Sequence, residues 1–262
     1  MPSPFRCFSR SGCRTSWLLL FFPLLLPAAP AAEPAPEPDP LLADAVAKLV
    51  DEDDCWAFTT ATITFDPAGK PADETIERYD PSKLGPAKFV LLKKNGRVAP
   101  EKEVTAHAKQ KQEEREAHTQ ALAKVKNWSL AHAKVVAETE EAIEFDLPCP
   151  QAKIDGLPYD KLRLVIRVQK ASRTVEGMTL TAREEFRVMG IAKVKAMETV
   201  VRYAAPAPSY PPAAVSLQSK MTLSVLGKAA VMGSSATSSD YQRVQPSGPR
   251  PSGTAAILNA LF

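Results

Sequence analysis

The sequence predicts a mainly β protein with helices, of the α+β class, in which a highly curved antiparallel sheet or half-barrel is covered by helices. Segments in which apolar and polar residues alternate recur from residue 56 to about residue 244, and short turns separate them. Two segments have a helical pattern, an N-terminal helix and one long inserted helix. Because a sheet of roughly nine or ten long strands twists and curls, we expect both helices to cover its concave face.

The first 31 residues have the pattern of a cleaved secretory signal peptide. An apolar run over residues 17–26 is followed by the small residues Ala29 and Ala31. At about 10 residues, the run is well short of the roughly 20 that a membrane-spanning helix needs. We therefore predict cleavage near Ala31 and a periplasmic protein that does not span the membrane afterwards. The basic residues before the run are Arg6, Arg10 and Arg14.

A proline-rich linker and then a short helix are predicted after the signal. Residues 32–40 alternate proline with small or acidic residues, which favours an extended chain. Asp39 is suited to cap a helix, and Pro40 is suited to its first position. Apolar residues at helical spacing then predict an amphipathic helix over about residues 40–50. They are Leu41, Leu42, Ala45, Val46, Leu49 and Val50.

The next part of the chain predicts three strands. Residues 56–65 (WAFTTATITF) combine aromatic and β-branched residues with period-two alternation. Residues 75–80 and 88–93 predict two more strands, and Asn95-Gly96 predicts the turn after them. The chain thus begins as a helix followed by an antiparallel meander.

Residues 100–127 predict a long charged helix, because they contain no glycine and are rich in Ala, Glu, Lys, Gln and Arg. The first half is polar on nearly all sides, so we expect it to project into solvent. His107 and His118 lie there and are expected to be solvated; with His132 they are the three histidines of the chain. An apolar stripe in the second half is expected to contact the body through Ala121, Leu122, Val125 and Trp128.

Strands return after residue 133, with charged residues on the alternate positions, which predicts one solvated face. The later strands are predicted over residues 174–181, 184–203, 215–226 and 229–244, some of them divided by bulges. Residues 204–212 (AAPAPSYPP) predict a rigid loop within this series. We therefore predict a single domain over residues 41–245 and a flexible C-terminal tail over residues 246–262.

The charge balance argues against nucleic-acid binding. Three of the 33 basic residues and none of the 30 acidic residues lie in the predicted signal, so the remaining chain is neutral. Cys55 and Cys149 follow the signal, and an exported chain with two cysteines makes them a candidate disulfide. Two separate thiols are the alternative.

The sequence contains no motif that indicates an enzyme, a metal site or a cofactor. The hydrolase, zincin, nucleotide and dinucleotide motifs are all absent from it. His107 and His118 are too far apart along a helix to chelate one ion. The acidic run at residues 51–54 lacks the spacing of a calcium loop and predicts a solvated turn. We expect a protein that is not an enzyme and carries neither a metal nor a cofactor.

Three sequence motifs resemble those of uncharacterised exported proteins with the fold of the outer-membrane lipoprotein carriers, the LolA-like and RseB-like proteins. They are ERYDPS at residues 77–82, FVLLKKNGR at residues 89–97 and VEGMTL at residues 175–180. The order of signal, amphipathic helix and Thr-rich aromatic strand resembles that family as well. The resemblance implies an incomplete barrel around helices and a lipid or lipoprotein as ligand.

Large aromatic side chains are the candidates for lining a ligand cavity in the curled sheet. A packed core is the other interpretation of the same residues. We predict a periplasmic, non-enzymatic binding protein for an apolar or lipidated ligand. The alternative is an envelope interaction or sensor protein that contacts a protein partner through the charged helix. The cavity candidates are Trp56, Phe58, Phe65, Tyr79, Phe89, Trp128 and Phe145.

Overall fold

The structure is a computed structural model that describes residues 37–52, 55–123, 129–151, 153–154, 156–188, 192–207, 210–225 and 227–247. The predicted signal peptide, Trp128 and residues 248–262 of the predicted tail lie outside the described residues. The helices are α1 (Pro40–Glu52) and α2 (Glu101–Ala123). The strands are β1 (Trp56–Phe65), β2 (Pro71–Tyr79), β3 (Phe89–Lys94), β4 (Arg97–Val98), β5 (Lys134–Glu138), β6 (Ala142–Pro148), β7 (Lys153–Ile154), β8 (Leu157–Pro158), β9 (Leu162–Gln169), β10 (Thr174–Ala182), β11 (Phe186–Val188), β12 (Ala192–Ala204), β13 (Ala213–Val225) and β14 (Lys228–Arg243).

Twelve of the described strands form one open, curved antiparallel sheet, which confirms the predicted fold class. Its order is β4-β3-β2-β1-β14-β13-β12-β10-β9-β6-β5, and β11 pairs with β12 at the side. Neighbours in space are neighbours along the chain except at three steps, where β1 pairs with β14, β12 pairs with β10, and β9 pairs with β6. The two edge strands β4 and β5 are therefore the strands that α2 connects.

Helix α1 forms where the sequence predicts it and packs against the part of the sheet that contains β9 and β10. The Asp39 carboxylate accepts hydrogen bonds from the backbone N–H groups of Leu41 at 2.8 Å and Leu42 at 3.3 Å, which caps the helix. Leu42, Ala45 and Val46 are buried in the main hydrophobic cluster with residues of β6, β9, β10 and β12. Burial of a leucine such as Leu42 contributes about 1.5–3 kcal/mol.

Strand β9 shows how alternation separates the two faces of the sheet. Leu162, Leu164, Ile166 and Val168 are buried in the main cluster. Arg163 and its alternate neighbours point to the other face, where Arg163 Nε lies 2.9 Å from Asp146 Oδ2. The predicted solvated face is thus present, and ion pairs with β6 and β10 cross it.

Helix α2 packs along the sheet over most of its length, so the prediction that its first half projects into solvent is wrong. Its less exposed residues recur every three or four positions, and most of them are polar. The His107 side chain is only 17% exposed and is paired with Glu77 of β2, and His118 is buried. The prediction that these two histidines are solvated is therefore also wrong. The sheet-facing stripe consists of Val104, His107, Ala108, Lys111, Gln112, Arg115, His118 and Ala121.

Cys55 and Cys149 are not joined by a disulfide in this structure, which corrects the candidate bond. Cys55 belongs to a small cluster with Trp56 and Ala213, whereas Cys149 packs against the main cluster. The thiol of Cys55 donates to the Asp51 carbonyl oxygen at 3.5 Å. The two cysteines therefore serve different parts of the hydrophobic interior.

One further difference concerns a predicted strand. The strand predicted over residues 184–203 is two strands, because β11 folds back antiparallel onto the start of β12.

Neither described helix has the combination of length and apolar character that spanning a membrane requires.

Candidate functional site

A cleft of about 640 Å³ lies at the C-terminal end of α1. Its volume falls within the range of roughly 300–1,000 Å³ that small-molecule sites occupy. Most of its wall is aliphatic, aromatic or proline, and the polar residues include three charged side chains. The apolar and aromatic lining residues are Ala45, Leu49, Val175, Tyr203, Ala204, Ala205, Tyr210, Pro211 and Pro212. The polar lining residues are Lys48, Asp51, Gln169, Ser172, Thr174 and Glu176.

Three parts of the fold build this cleft. Val175 of β10 and Tyr203 of β12 both belong to the main hydrophobic cluster on the helix side of the sheet. Helix α1 supplies Ala45 and Leu49, and the proline-rich loop after β12 supplies Tyr210. The side chain of Tyr210 is 41% exposed, so this loop forms an outer wall of the cleft.

Two polar contacts fasten α1 to the turn between β9 and β10 beside the cleft. Lys48 Nζ donates to the Ser172 carbonyl oxygen at 2.8 Å. Arg173 Nη1 lies 2.5 Å from Asp44 Oδ2. Because both contacts join α1 to the same turn, they hold the helix in a defined position against that side of the cleft.

A row of six aromatic side chains runs from the cleft across β14, β1, β2 and β3. We call it the aromatic row. Its ring centroids follow one another at 5.2 Å (Tyr210–Trp56), 6.1 Å (Trp56–Tyr241), 5.7 Å (Tyr241–Phe58), 5.5 Å (Phe58–Tyr79) and 5.3 Å (Tyr79–Phe89). These spacings are typical of favourable edge-to-face and tilted aromatic contacts.

Strand register explains the row. Phe58 lies directly opposite Tyr79, and Tyr79 lies directly opposite Phe89. Cross-strand partners share a face of the sheet, so their rings meet. A bulge in β14 next to Asp240, whose φ is 53°, brings Tyr241 beside Phe58.

Helix α2 covers the far end of the aromatic row with polar groups. Arg115 Nη1 donates to Tyr79 Oη at 2.6 Å, and the guanidinium carbon lies 5.1 Å from the centroid of the same ring. His107 Nε2 and Glu77 Oε2 are 2.7 Å apart next to it. The row therefore runs from an open cleft at one end to a helix-covered end at the other.

The predicted cavity residues do not all lie together. Trp56, Phe58, Tyr79 and Phe89 form most of the aromatic row. Phe145 is 1% exposed and packs in the main cluster, while Phe65 lies at the other end of β1 opposite Gly233. Trp128 lies outside the described residues. None of the six described candidates lines the cleft itself.

Sequence reasoning missed Tyr203 and Tyr210, which line the cleft. The signal that was available is their position, since Tyr203 immediately precedes the proline-rich loop at residues 204–212 and Tyr210 lies within it. A rigid loop between two long strands is a common place for binding residues. The amino-acid sequence of this loop does not reveal that the loop and α1 line the same cleft.

Electrostatic features of the site are modest. Burial raises the pKa of Tyr241 in the aromatic row. The hydrogen bonds that the Arg167 guanidinium donates to Glu176 and, to a smaller extent, to Glu144 raise the pKa of Arg167 beside the cleft. Within the described ranges, no group of three or more His, Cys, Asp or Glu residues is arranged to hold a metal ion.

No known protein family matches the chain, and no curated protein matches it. Among solved structures, the chain is similar to a LolA superfamily protein from Nitrosomonas europaea, with 9% sequence identity and a TM-score of 0.32. The likeness covers 77% of this chain and 94% of that protein. A TM-score this low does not place the chain in that superfamily, so the family resemblance stays a prediction.

Proposed function

We propose that the protein is a periplasmic, non-enzymatic binding protein that holds an apolar or lipidated ligand in the cleft at the end of α1. The observation that supports this most directly is the cleft of about 640 Å³ with its largely apolar lining. An apolar chain placed there loses contact with water, at a gain of about 0.8 kcal/mol for each methylene group that is buried. The lipidated nature of the ligand is the part that rests on the sequence resemblance.

The periplasmic location rests on the sequence of residues 1–31, which has the basic, apolar and small-residue parts of a signal peptide. Mass spectrometry of the protein isolated from a periplasmic fraction tests it. We expect a mature N-terminus near Ala32. An uncleaved chain in the cytoplasmic fraction would contradict the proposed location. It would not bear on the proposal that the cleft binds a ligand.

Ligand binding is tested by lipid extraction and native mass spectrometry of the protein purified without detergent. We expect a stoichiometric acyl species, or uptake of an apolar fluorescent probe by the empty protein. Ala204→Phe places a ring in the cleft from its exposed rim and is expected to reduce bound ligand at least tenfold, because the ring obstructs part of the space that the ligand needs. Ala229→Phe at an exposed position of β14 is the matched control, because this residue does not line the cleft.

Protein that carries no ligand and takes up no probe would overturn the proposal. Equal loss of ligand in both phenylalanine variants would also contradict it, because the effect would then not come from the cleft.

The alternative, a partner contact through the charged helix, has weaker support. On α2, Lys109 Nζ lies 3.8 Å from Glu113 Oε1, and Lys111 Nζ lies 4.0 Å from Glu114 Oε2. Pairs at this spacing are ordinary stabilisers of a helix surface. Several charged side chains that α2 would present to a protein partner are thus already paired with opposite charges on the same helix.

A further inference from the structure

The charged side chains of the cleft differ in how well they are already paired. Glu176 Oε2 lies 2.7 Å from Arg167 Nε, so its charge is matched by a neighbour on β9. Asp51 belongs to the last turn of α1, and its carbonyl oxygen accepts the Cys55 thiol. Lys48, one turn before Asp51, is the cation among the lining residues.

Lys48 has hydrogen-bonding capacity left over. Its ammonium group carries three donors, and one of them binds the Ser172 carbonyl oxygen at 2.8 Å. Within the part of the chain that the structure describes, no carboxylate lies within ion-pair distance of Lys48 Nζ. The neighbouring cations are occupied, since Arg173 binds Asp44 and Lys170 binds Glu138.

The contact with Ser172 also fixes where this charge is. Holding Lys48 to the turn between β9 and β10 places its ammonium group at the cleft wall, beside the apolar lining from Leu49 and Val175. A cation with free donors next to an apolar surface matches a molecule with an anionic head and an aliphatic chain.

We infer that the ligand of the cleft is an aliphatic carboxylic acid, whose carboxylate binds Lys48 Nζ and whose chain packs on the apolar lining. This inference rests on the proposed function and narrows it to an anionic amphiphile. The negative charge of Asp51 and the C-terminal end of the α1 dipole oppose an anion, so the expected preference is limited. We expect about a fivefold to tenfold advantage for the acid over an uncharged analogue, as a partly exposed charged hydrogen bond provides.

Isothermal titration calorimetry of the ligand-free protein with laurate, lauryl alcohol and laurylamine at neutral pH tests this inference, each probe being kept below its micelle concentration. The three probes share one chain and differ in the head group. We expect laurate to bind most tightly. Lys48→Gln should remove the advantage of laurate over the alcohol, and Lys48→Arg should keep it. Lys228→Gln on β14, outside the cleft lining, is the control and should leave all three affinities unchanged.

The outcomes separate this inference from the proposed function. Binding of all three probes with equal affinity, or tightest binding of laurylamine, would overturn the acid preference while leaving an apolar binding protein. A preference for laurate that survives Lys48→Gln would overturn the role of Lys48. Failure of all three probes to bind would overturn the proposed function itself. Thermal unfolding of each variant by circular dichroism shows whether it is folded.

Discussion

Arg115 of α2 contacts Tyr79 of β2 in two ways: its Nη1 donates to the phenol oxygen at 2.6 Å, and its Cζ lies 5.1 Å from the ring centroid. A guanidinium at this distance from an aromatic ring is attracted by the electrons of its face. The pair joins helix α2 to the far end of the aromatic row. Polar groups thus help to hold helix α2 against the sheet in this region.

A double-mutant cycle of Arg115→Ala and Tyr79→Phe measures this contact. We expect a coupling energy of about 1 kcal/mol in the free energy of unfolding, because Tyr79→Phe removes the hydroxyl that accepts the hydrogen bond from Arg115; the ring and its cation–π contact remain in that variant and do not enter the coupling. Arg187→Ala, on the exposed position of β11, is the control and should change stability by less than about 0.5 kcal/mol. Additive effects of the two substitutions in urea unfolding would show that the contact contributes nothing measurable.

Replacing Phe145 and Phe65 by alanine is expected to give very different results. Phe145 is packed on all sides in the main cluster, so Phe145→Ala should cost about 3–5 kcal/mol through the cavity that it leaves. Phe65 is partly exposed at the end of β1, and its loss should cost about 1 kcal/mol. Urea unfolding of both variants gives the comparison. Similar costs would mean that Phe145 faces an unfilled space rather than a packed core.

Cys149 is expected to be unreactive in the folded protein. Burial raises the pKa of its thiol from 9.0 to about 12, so at pH 8 it has about a thousandfold less thiolate than an exposed cysteine. Alkylation by iodoacetamide of a chain of residues 32–262 that carries Cys55→Ser isolates this residue, because Cys7 and Cys13 precede residue 32. We expect no labelling on the timescale on which the urea-unfolded chain is labelled completely. Equal rates in both states would contradict the burial of Cys149.

The same pKa shift predicts a loss of stability at high pH. The folded chain keeps the Cys149 proton up to about pH 12, whereas the unfolded chain releases it near pH 9. The unfolded state therefore binds fewer protons between these values, and stability falls as pH rises through this window. The urea midpoint should fall more steeply above pH 9 in the wild type than in Cys149→Ser. Parallel profiles for the two proteins would refute this.

Gly177 of β10 is expected to resist substitution by alanine. A Cβ atom there would lie 3.2 Å from the carbonyl oxygen of Val201 on β12, which is backbone in the middle of the sheet. Gly177→Ala should therefore lower the free energy of unfolding by about 1–3 kcal/mol. Thr179→Ala, on the same face of the same strand, is the comparison and should cost less. An unchanged urea midpoint for Gly177→Ala would show that β10 can move away from β12.

Elements that depend on local interactions were predictable. Helix α1 begins at Pro40 as expected, because the cap from Asp39 acts over two and three residues. Alternation in β9 was visible because each strand position alternates between the interior and solvent. The packing of α2 along the sheet was not predictable, because the residues that face the sheet are mostly polar and a search for apolar residues at helical spacing does not detect them. The partner of His107 is Glu77, which lies 30 residues away in the chain.

In the candidate site, too, some features are visible in the local sequence and others depend on contacts between distant parts of the chain. Trp56, Phe58, Tyr79 and Phe89 stand out in the sequence as large aromatic residues in strands, but their union in one row follows from the pairing of β1 with β2 and of β2 with β3. Tyr203 and Tyr210 have nothing in their local sequence that marks them as walls of a cleft.

The sequence by itself determined most of the long strands, the two helices, the cap of α1 and the solvated face of the sheet, because neighbouring residues decide these features. Only the tertiary structure decided that α2 lies along the sheet, that Cys55 and Cys149 belong to different clusters, and that the cleft opens at the end of α1 rather than over the predicted aromatic residues. Each of these depends on contacts between residues far apart in the chain, and those contacts form only when β14 pairs with β1 and the curved sheet is complete.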